Sequence, residues 1–243
     1  MMTKLLSIMF GILFANGALA ILPSAIQPNE FAMLPAYCKA KLSDDPADDK
    51  LYSGAIGPDW LHIHHYCFAL NFTNRFYKTS NPNEKRHYLR GALDNHDYVL
   101  THAALDFWMR PEIHTEKARQ LRAAKRYGEA MGELTRALGI NPDYLNAYVV
   151  LSDVHMDLNK KSDAVASVEK GLQHGPDNRA LQRRYKSLTG KEFVPPEVGS
   201  AVSGAPGGGG ARQRRSPRKI GVTKDPEGIL GLPGPGGSSH GVG

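Results

Sequence analysis

The hydrophobic positions along the first half of the chain indicate two long helices. From Pro58 to about Lys78, apolar residues cover nearly every side of a helix, which is typical of a buried helix. A second pattern opens at Pro82 and places apolar residues on one face as far as Phe107. We therefore predict a helical hairpin over residues 58–110.

The strongest pattern in the second half is an internal repeat. Small, apolar and proline residues recur at one constant spacing: Ala130 and Ala164, Leu138 and Leu172, Pro142 and Pro176. A period of about 34 residues, with small residues inside a unit and a proline at its close, is typical of helix–turn–helix repeats. We predict two consecutive helix pairs over residues 111–178.

These two units resemble tetratricopeptide repeats. The first matches the family pattern at Ala118, Tyr127, Ala130, Leu134, Ala137 and Pro142, and the second at Tyr148, Leu151, Ala164, Leu172 and Pro176. The second departs from the pattern at Gly171, where the family usually has alanine, and at Lys161. The resemblance implies a solenoid with a concave groove, and it implies no particular activity.

By the same resemblance, eight residues line the groove: Glu112, Thr115, Arg119, Arg122, Asn146, Val149, Asp153 and Met156. The family's clamp for a C-terminal carboxylate is missing, because the positions that need lysine and asparagine carry other residues. The first repeat is locally basic at Arg119 and Arg122, and the second is acidic. We expect an extended peptide of mixed charge here, and no nucleic acid. A solvated charged face is the alternative.

Both ends of the repeat pair need a cover, because roughly three repeats are usually required to bury a continuous core. The hairpin covers the first repeat. After the second repeat, Asp177 is a candidate N-cap and Gly190 a stop signal. We assign residues 179–194 to a capping helix.

The first twenty residues predict export. Lys4 precedes an apolar run that closes with Ala18 and Ala20, as in a secretory signal with an A-x-A cleavage site. Uncleaved anchoring is the alternative. We expect residues 1–20 to be a signal peptide, no transmembrane segment after its cleavage, and a periplasmic location.

Export favours a disulfide between Cys38 and Cys67, the two cysteines of the chain. We predict that residues 21–57 form an extended segment, which this disulfide pins against the first hairpin helix. A polar stripe on that helix is expected to hydrogen-bond the segment's backbone, through His64, Asn71 and Asn74. Two free buried thiols are the alternative.

Three histidines in the sequence HIHHYC (62–67) suggest a metal or catalytic site. At 100° per residue, His62 and His65 share a side of the helix, whereas His64 points away. His96 lies on the apolar face of the second helix, where a hydrogen-bonded core residue is the simpler interpretation. The alternative function is a metal- or cofactor-handling protein that binds zinc or another transition metal through His62, His65 and His96. Otherwise we expect no cofactor.

Cys67 is the candidate catalytic nucleophile of this stretch. No acid can be identified that would orient a histidine beside it, so we expect that the protein is not an enzyme.

Residues 195–243 differ in composition, since 14 of these 49 residues are glycine and 7 are proline. This composition predicts a disordered tail. Of the net charge of +6, Lys4 contributes one and the tail three, which leaves about +2 on residues 21–194. The basic tail is therefore the part expected to contact acidic surfaces, with a solvated linker as the alternative.

Together these patterns predict an all-α protein: a short helical solenoid of tetratricopeptide-like helix pairs, preceded by a longer helical hairpin and followed by a disordered tail. The function we expect is non-catalytic. The protein would act as a periplasmic scaffold or assembly factor that holds a partner protein or peptide on its concave face.

Overall fold

The computed structural model describes residues 26–43 and 45–195. The predicted signal peptide, and the predicted tail beyond Pro195, lie outside the described residues. Within the described ranges the regular structure is helical throughout, without a strand. The prediction of an all-α fold is confirmed. No helix of these ranges is both long enough and apolar enough to cross a membrane.

The prediction of an extended segment over residues 21–57 is wrong for its described part. Three short helices form there: a 3-10 helix at Pro28–Met33, α1 at Ala36–Leu42 and α2 at Pro46–Ile56. Asp45 caps α2 by accepting hydrogen bonds from two of its backbone amides. Helix α1 buries Tyr37, Cys38 and Ala40 against the hairpin.

The hairpin follows as three elements: a 3-10 turn at Pro58–His62, α3 at Ile63–Lys78 and α4 at Pro82–His102. The sequence HIHHYC therefore straddles the start of α3. Gly57, with a φ of 93°, separates α2 from the 3-10 turn, a backbone angle that favours glycine. Asn81 caps α4 by accepting the amide hydrogen of Asn83 at 2.9 Å. Helices α3 and α4 pack along their length.

Five helices make up the repeat region: α5 at Arg110–Ala123, α6 at Tyr127–Ile140, α7 at Leu145–Asp157, α8 at Lys161–His174 and α9 at Arg179–Thr189. Helices α6 and α8 begin one repeat period apart, at Tyr127 and Lys161. Helices α7 and α9 begin at the same spacing, at Leu145 and Arg179. Helix α9 is therefore the first helix of a third, incomplete repeat.

The start of α9 corrects one prediction. Its N-cap is Asn178, whose side chain accepts the amide hydrogen of Leu181 at 3.0 Å, and not Asp177. Asn178 holds the extended backbone that an N-cap needs. The end of the helix is as predicted, because Gly190 terminates it in the left-handed conformation with a φ of 75°.

Three hydrophobic clusters run along the solenoid. The first joins α1 and the hairpin to the start of α5, and contains Cys38 and Cys67. These cysteines are joined in a disulfide, with their Cα atoms 5.4 Å apart. The second cluster extends from α4 to α7, and the third from α7 to α9. Each helix pair therefore buries its apolar face against its neighbours, as expected for stacked repeats.

Candidate peptide-binding groove

The first helices of the repeats, α5, α7 and α9, contact one another in that order. A cleft of about 470 Å³ lies between α7 and α9. Its lining includes Val149 and Met156 from α7 and Ala180, Arg183 and Ser187 from α9. The α9 residues follow Asn146, Val149 and Asp153 by one repeat period each. Val149 and Arg183 therefore line the cleft from the same position of successive repeats.

Helix α9 is more than the predicted capping helix, because it also contributes to the groove. Arg183, Arg184 and Leu188 all line the cleft. The signal was present in the sequence, because adding one period to the start of α7 gives the start of α9. The helix therefore both covers the second repeat and extends the binding surface.

Ion pairs link α5, α7 and α9, the first helices of the repeats. The Arg122 guanidinium donates to Asp157 at 2.7 Å and 3.1 Å and to Asp153 at 2.9 Å. The other oxygen of Asp153 contacts Arg184 on α9. Asp157 and Arg184 were not among the predicted residues. Because these charges neutralise one another, this part of the groove presents little net charge to a ligand.

Two predicted groove residues of α5 have other roles. Thr115 is fully buried, and its hydroxyl donates to the Pro111 carbonyl at 2.7 Å, so its assignment as a lining residue is wrong. The carboxyl group of Glu112 accepts a hydrogen bond from the Tyr66 hydroxyl at 2.7 Å. Burial raises the pKa of Glu112 to about 7. Glu112 therefore ties α5 to the hairpin.

Of the remaining predicted residues, Val149 and Met156 line the cleft between α7 and α9, whereas Arg119 and Asn146 do not. Arg119 pairs with Glu116 of the same helix at 3.0 Å. Asn146 is exposed, and Val149 is partly exposed within the cleft. Met156 leaves 38% of its surface exposed, which is high for a large apolar side chain. The accessible groove is therefore concentrated on α7 and α9.

The structure does not bring the three candidate metal ligands together. The His65 ring stacks on Tyr98, with ring centres 3.5 Å apart, and the His62 ring meets Tyr98 at 5.8 Å. His96 instead lies beside Tyr66 and is fully buried. Burial lowers the pKa of His96 to about 3, so its ring is neutral. In residues 26–43 and 45–195, no group of three or more His, Cys, Asp and Glu side chains is placed to hold a metal ion.

His96 is a core residue, but the hydrogen bond expected for it is absent. Neither of its ring nitrogens has a hydrogen-bond partner within the described part of the chain. The neighbouring Tyr66 does not supply a hydrogen bond to His96, because its hydroxyl donates to Glu112 on α5. His96 therefore contributes packing to the hairpin and to α5.

The N-terminal helices are anchored on α3 by polar contacts as well as by the disulfide. Glu30 accepts hydrogen bonds from Nε and Nη2 of Arg75 at 2.7 Å and from Asn71 at 3.1 Å. These hydrogen bonds, led by that of Arg75, lower the pKa of Glu30 to about 2. Asn74 donates to a backbone carbonyl of the 3-10 helix at 3.2 Å, as predicted. The predictions for Asn71 and His64 are wrong, because Asn71 donates to a side chain, that of Glu30, and Nδ1 of His64 lies 2.9 Å from the Leu61 carbonyl in the preceding 3-10 turn.

The stacked helix pairs define a helical-repeat protein. The family model described as "Tetratricopeptide repeat" matches residues 121–190, from the end of α5 through α9. This part of the chain is therefore a tetratricopeptide-repeat region, as the resemblance implied.

Known proteins have sequences similar to part of this chain. The chain is 32% identical over 78 residues to a "DnaJ homolog subfamily C member 7 homolog" from Dictyostelium discoideum, which is 32% of this chain and 14% of that protein. It is 26% identical over 84 residues to an "Hsp70-Hsp90 organizing protein" from Triticum aestivum, which is 35% of this chain and 14% of that protein. The chain thus spans about one seventh of the length of these relatives.

Among solved structures, the chain is similar to a thermophilic TPR protein from Thermus thermophilus. The TM-score is 0.48 at 16% sequence identity, and the match covers 58% of this chain and 70% of that one.

Proposed function

We propose that this protein is a non-catalytic scaffold or assembly factor that binds an extended segment of a partner protein along α7 and α9. One observation carries the proposal: Val149 and Arg183, which occupy the same position in successive repeats, line a single open cleft. A surface that continues from one repeat to the next suits a ligand in extended form.

The cleft combines apolar and basic groups. Val149, Met156 and Leu188 supply apolar surface, and the flexible side chain of Met156 adapts to different partners. Arg183 forms no ion pair among the described residues, in contrast to its neighbour Arg184. The segment that fits carries an apolar side chain and, next to it, an acidic one.

The named relatives support a role in protein–protein interaction. The relative from Triticum aestivum is called an Hsp70-Hsp90 organizing protein, and the match to it covers 35% of this chain. Since the chain matches only about one seventh of that protein, the identity of the partner here is part of the proposal.

We further propose that the protein works in the periplasm. Two features support this location: the signal-like first twenty residues, and a cysteine pair that an oxidising compartment would keep oxidised.

Site-specific photocrosslinking in cells tests the proposal. A crosslinking residue placed at Met156 or Arg183 is expected to capture one dominant partner. The same residue at Glu169, exposed on α8, is the control and should capture none. Arg183→Glu should weaken the crosslink from Met156 by about tenfold, because it replaces a charge-assisted contact with a repulsion. Equal capture from Glu169, or capture insensitive to Arg183→Glu, would exclude this groove as the binding surface.

A further inference from the structure

A second cleft, of about 580 Å³, lies between α4, α5 and α6. Its volume is in the range of small-molecule sites. Its residues on α5 include His114 and Lys117. None of the residues that line it also lines the cleft between α7 and α9. The two clefts are therefore separate.

A buried carboxylate organises the floor of this cleft. Glu133 Oε2 lies 2.6 Å from Nδ1 of His114, and Oε1 lies 2.9 Å from both Nζ of Lys117 and Nη1 of Arg136. The His114 and Glu133 side chains are each only 7% exposed. Although burial opposes ionisation, the hydrogen bonds from His114 and Lys117 hold the pKa of Glu133 at about 2. The ionised carboxylate of Glu133 therefore contacts three side chains, those of His114, Lys117 and Arg136.

The cationic groups of the cleft outnumber its acids. Three cationic side chains line the cleft, those of Arg110, Lys117 and Arg136, against two carboxylates, Asp97 and Glu133, which pair with Lys117 and Arg136. The buried guanidinium of Arg110 donates only to three backbone carbonyls near the end of α4, and no carboxylate pairs with it among the described residues. A charge that is buried without an ionic partner is costly. An anionic group in the cleft would supply that partner.

The second repeat shows that the fold does not require these charges. The positions one repeat period after His114, Lys117 and Glu133 are occupied by Tyr148, Leu151 and Ser167. Tyr148 is 1% exposed and belongs to the hydrophobic core. Replacing buried ion pairs by packed neutral residues is often neutral or stabilising. The first repeat therefore keeps a charged cluster where an uncharged core would serve its stability as well.

We propose that this cleft binds a carboxylate attached to a short apolar chain. The carboxylate accepts hydrogen bonds from Arg110 and Arg136, both of which line the cleft. The apolar chain contacts Leu105 and Ile140 at the cleft mouth, which are 86% and 46% exposed. Burying these two side chains under a ligand removes apolar surface from water.

An NMR titration of the full chain tests this site. Two carboxylates are the probes: hexanoate represents a free acid, and N-acetyl-leucine represents the carboxylate at the end of a peptide. Hexylammonium and inorganic phosphate are the comparison ligands, since they represent a cation and a different anion. We expect both carboxylates to shift the His114 ring and Arg136 side-chain signals saturably. The stronger of the two binders identifies the source of the carboxylate.

Two variants make the test specific. The triple change His114→Tyr, Lys117→Leu and Glu133→Ser installs the residues of the second repeat, where Tyr148 packs in the hydrophobic core, and should abolish binding by filling the cleft, with the fold checked by circular dichroism. Arg136→Gln, at a side chain that is 62% exposed, should weaken binding about threefold to tenfold without unfolding the protein. Lys170→Gln, the equivalent change in the second repeat, should leave binding unchanged.

Three results would overturn the proposal. The first is the absence of a saturable shift with either carboxylate. The second is an equal affinity of Arg136→Gln and the unmodified protein for hexanoate. The third is tighter binding of hexylammonium or phosphate than of hexanoate, because either would assign a different class of ligand to the cleft.

Discussion

Arg122 on α5 donates two hydrogen bonds to the carboxylate of Asp157 on α7, at 2.7 Å and 3.1 Å, and so joins the first repeat to the second. Both side chains are about one third exposed, so water and salt screen this pair. Asp153 is more protected, at 16% exposure, and it contacts both Arg122 and Arg184. The link across three helices therefore depends more on Asp153 than on Asp157.

This difference predicts unequal costs for removing the two carboxylates. Asp153→Asn should lower the free energy of unfolding by about 1–2 kcal/mol, because it leaves Arg184 without a charged partner and removes one of the two acids that pair with Arg122. Asp157→Asn should cost less than about 1 kcal/mol. Urea unfolding measures both, with Glu169→Gln on α8 as a control that should have little effect. Equal losses for the two aspartates would show that the network does not act through Asp153.

Glu112 predicts a pH dependence of stability. Its pKa is raised, mainly by burial, from 4.5 to about 7 in the folded protein, where it faces Tyr66 and the nearby Glu116. Between these two values the folded state holds a proton that the unfolded state has lost. The contribution of Glu112 to stability is therefore greatest at low pH and falls, by about 3 kcal/mol, as the pH rises from 4.5 to 7.

Glu112→Gln tests this sign directly. The amide keeps an acceptor for the Tyr66 hydroxyl and carries no charge at any pH. We expect the variant to be more stable than the unmodified protein at pH 8 and to lose the slope between pH 5 and 7. The measurement is urea unfolding at a series of pH values. An unchanged slope in the variant would mean that another group carries the dependence.

The disulfide between Cys38 and Cys67 predicts a large loss on its removal. The two cysteines are 29 positions apart, and opening a loop of this size should cost about 3 kcal/mol. Cys38→Ala with Cys67→Ala should lower the melting temperature of the full chain accordingly. Thiol counting under denaturing conditions should find no reactive thiol in protein exported to the periplasm. Two reactive thiols in that material would contradict the proposed location or the disulfide.

The repeat spacing explains how much of the fold could be predicted. The constant period gave two helix pairs over residues 111–178, because each unit contains long helices and a closing proline. The helices before Gly57 were missed, because helices as short as Ala36–Leu42 hold too few residues for a periodic pattern.

The contacts of the site were harder to predict than its helices. Thr115 occupies a groove position by spacing, yet it is buried, because the hairpin and α1 come before the first repeat and pack against its start. The cluster of His114, Lys117 and Glu133 joins two helices, and no spacing within a single helix reveals it. The period could have revealed Arg183 as a groove residue, since it lies one period after Val149.

Gly171 shows how the second repeat departs from its family, and it gives a test with an internal control. A Cβ atom at this position would lie 2.9 Å from the Tyr148 Cβ and 2.9 Å from the Leu181 side chain, so the large Tyr148 requires a glycine opposite it. Alanine is the better helix former by about 1 kcal/mol, but overpacking costs about 1–3 kcal/mol. We expect Gly171→Ala to destabilise the protein by about 1 kcal/mol.

Gly132→Ala on α6 is the control for this prediction. Nothing lies within 4 Å of the added atom there, so the change should instead stabilise the protein by about 0.5–1 kcal/mol. Thermal unfolding of both variants decides the matter: a gain in stability for Gly171→Ala would show that α7 and α8 pack less closely at Tyr148 than the structure indicates.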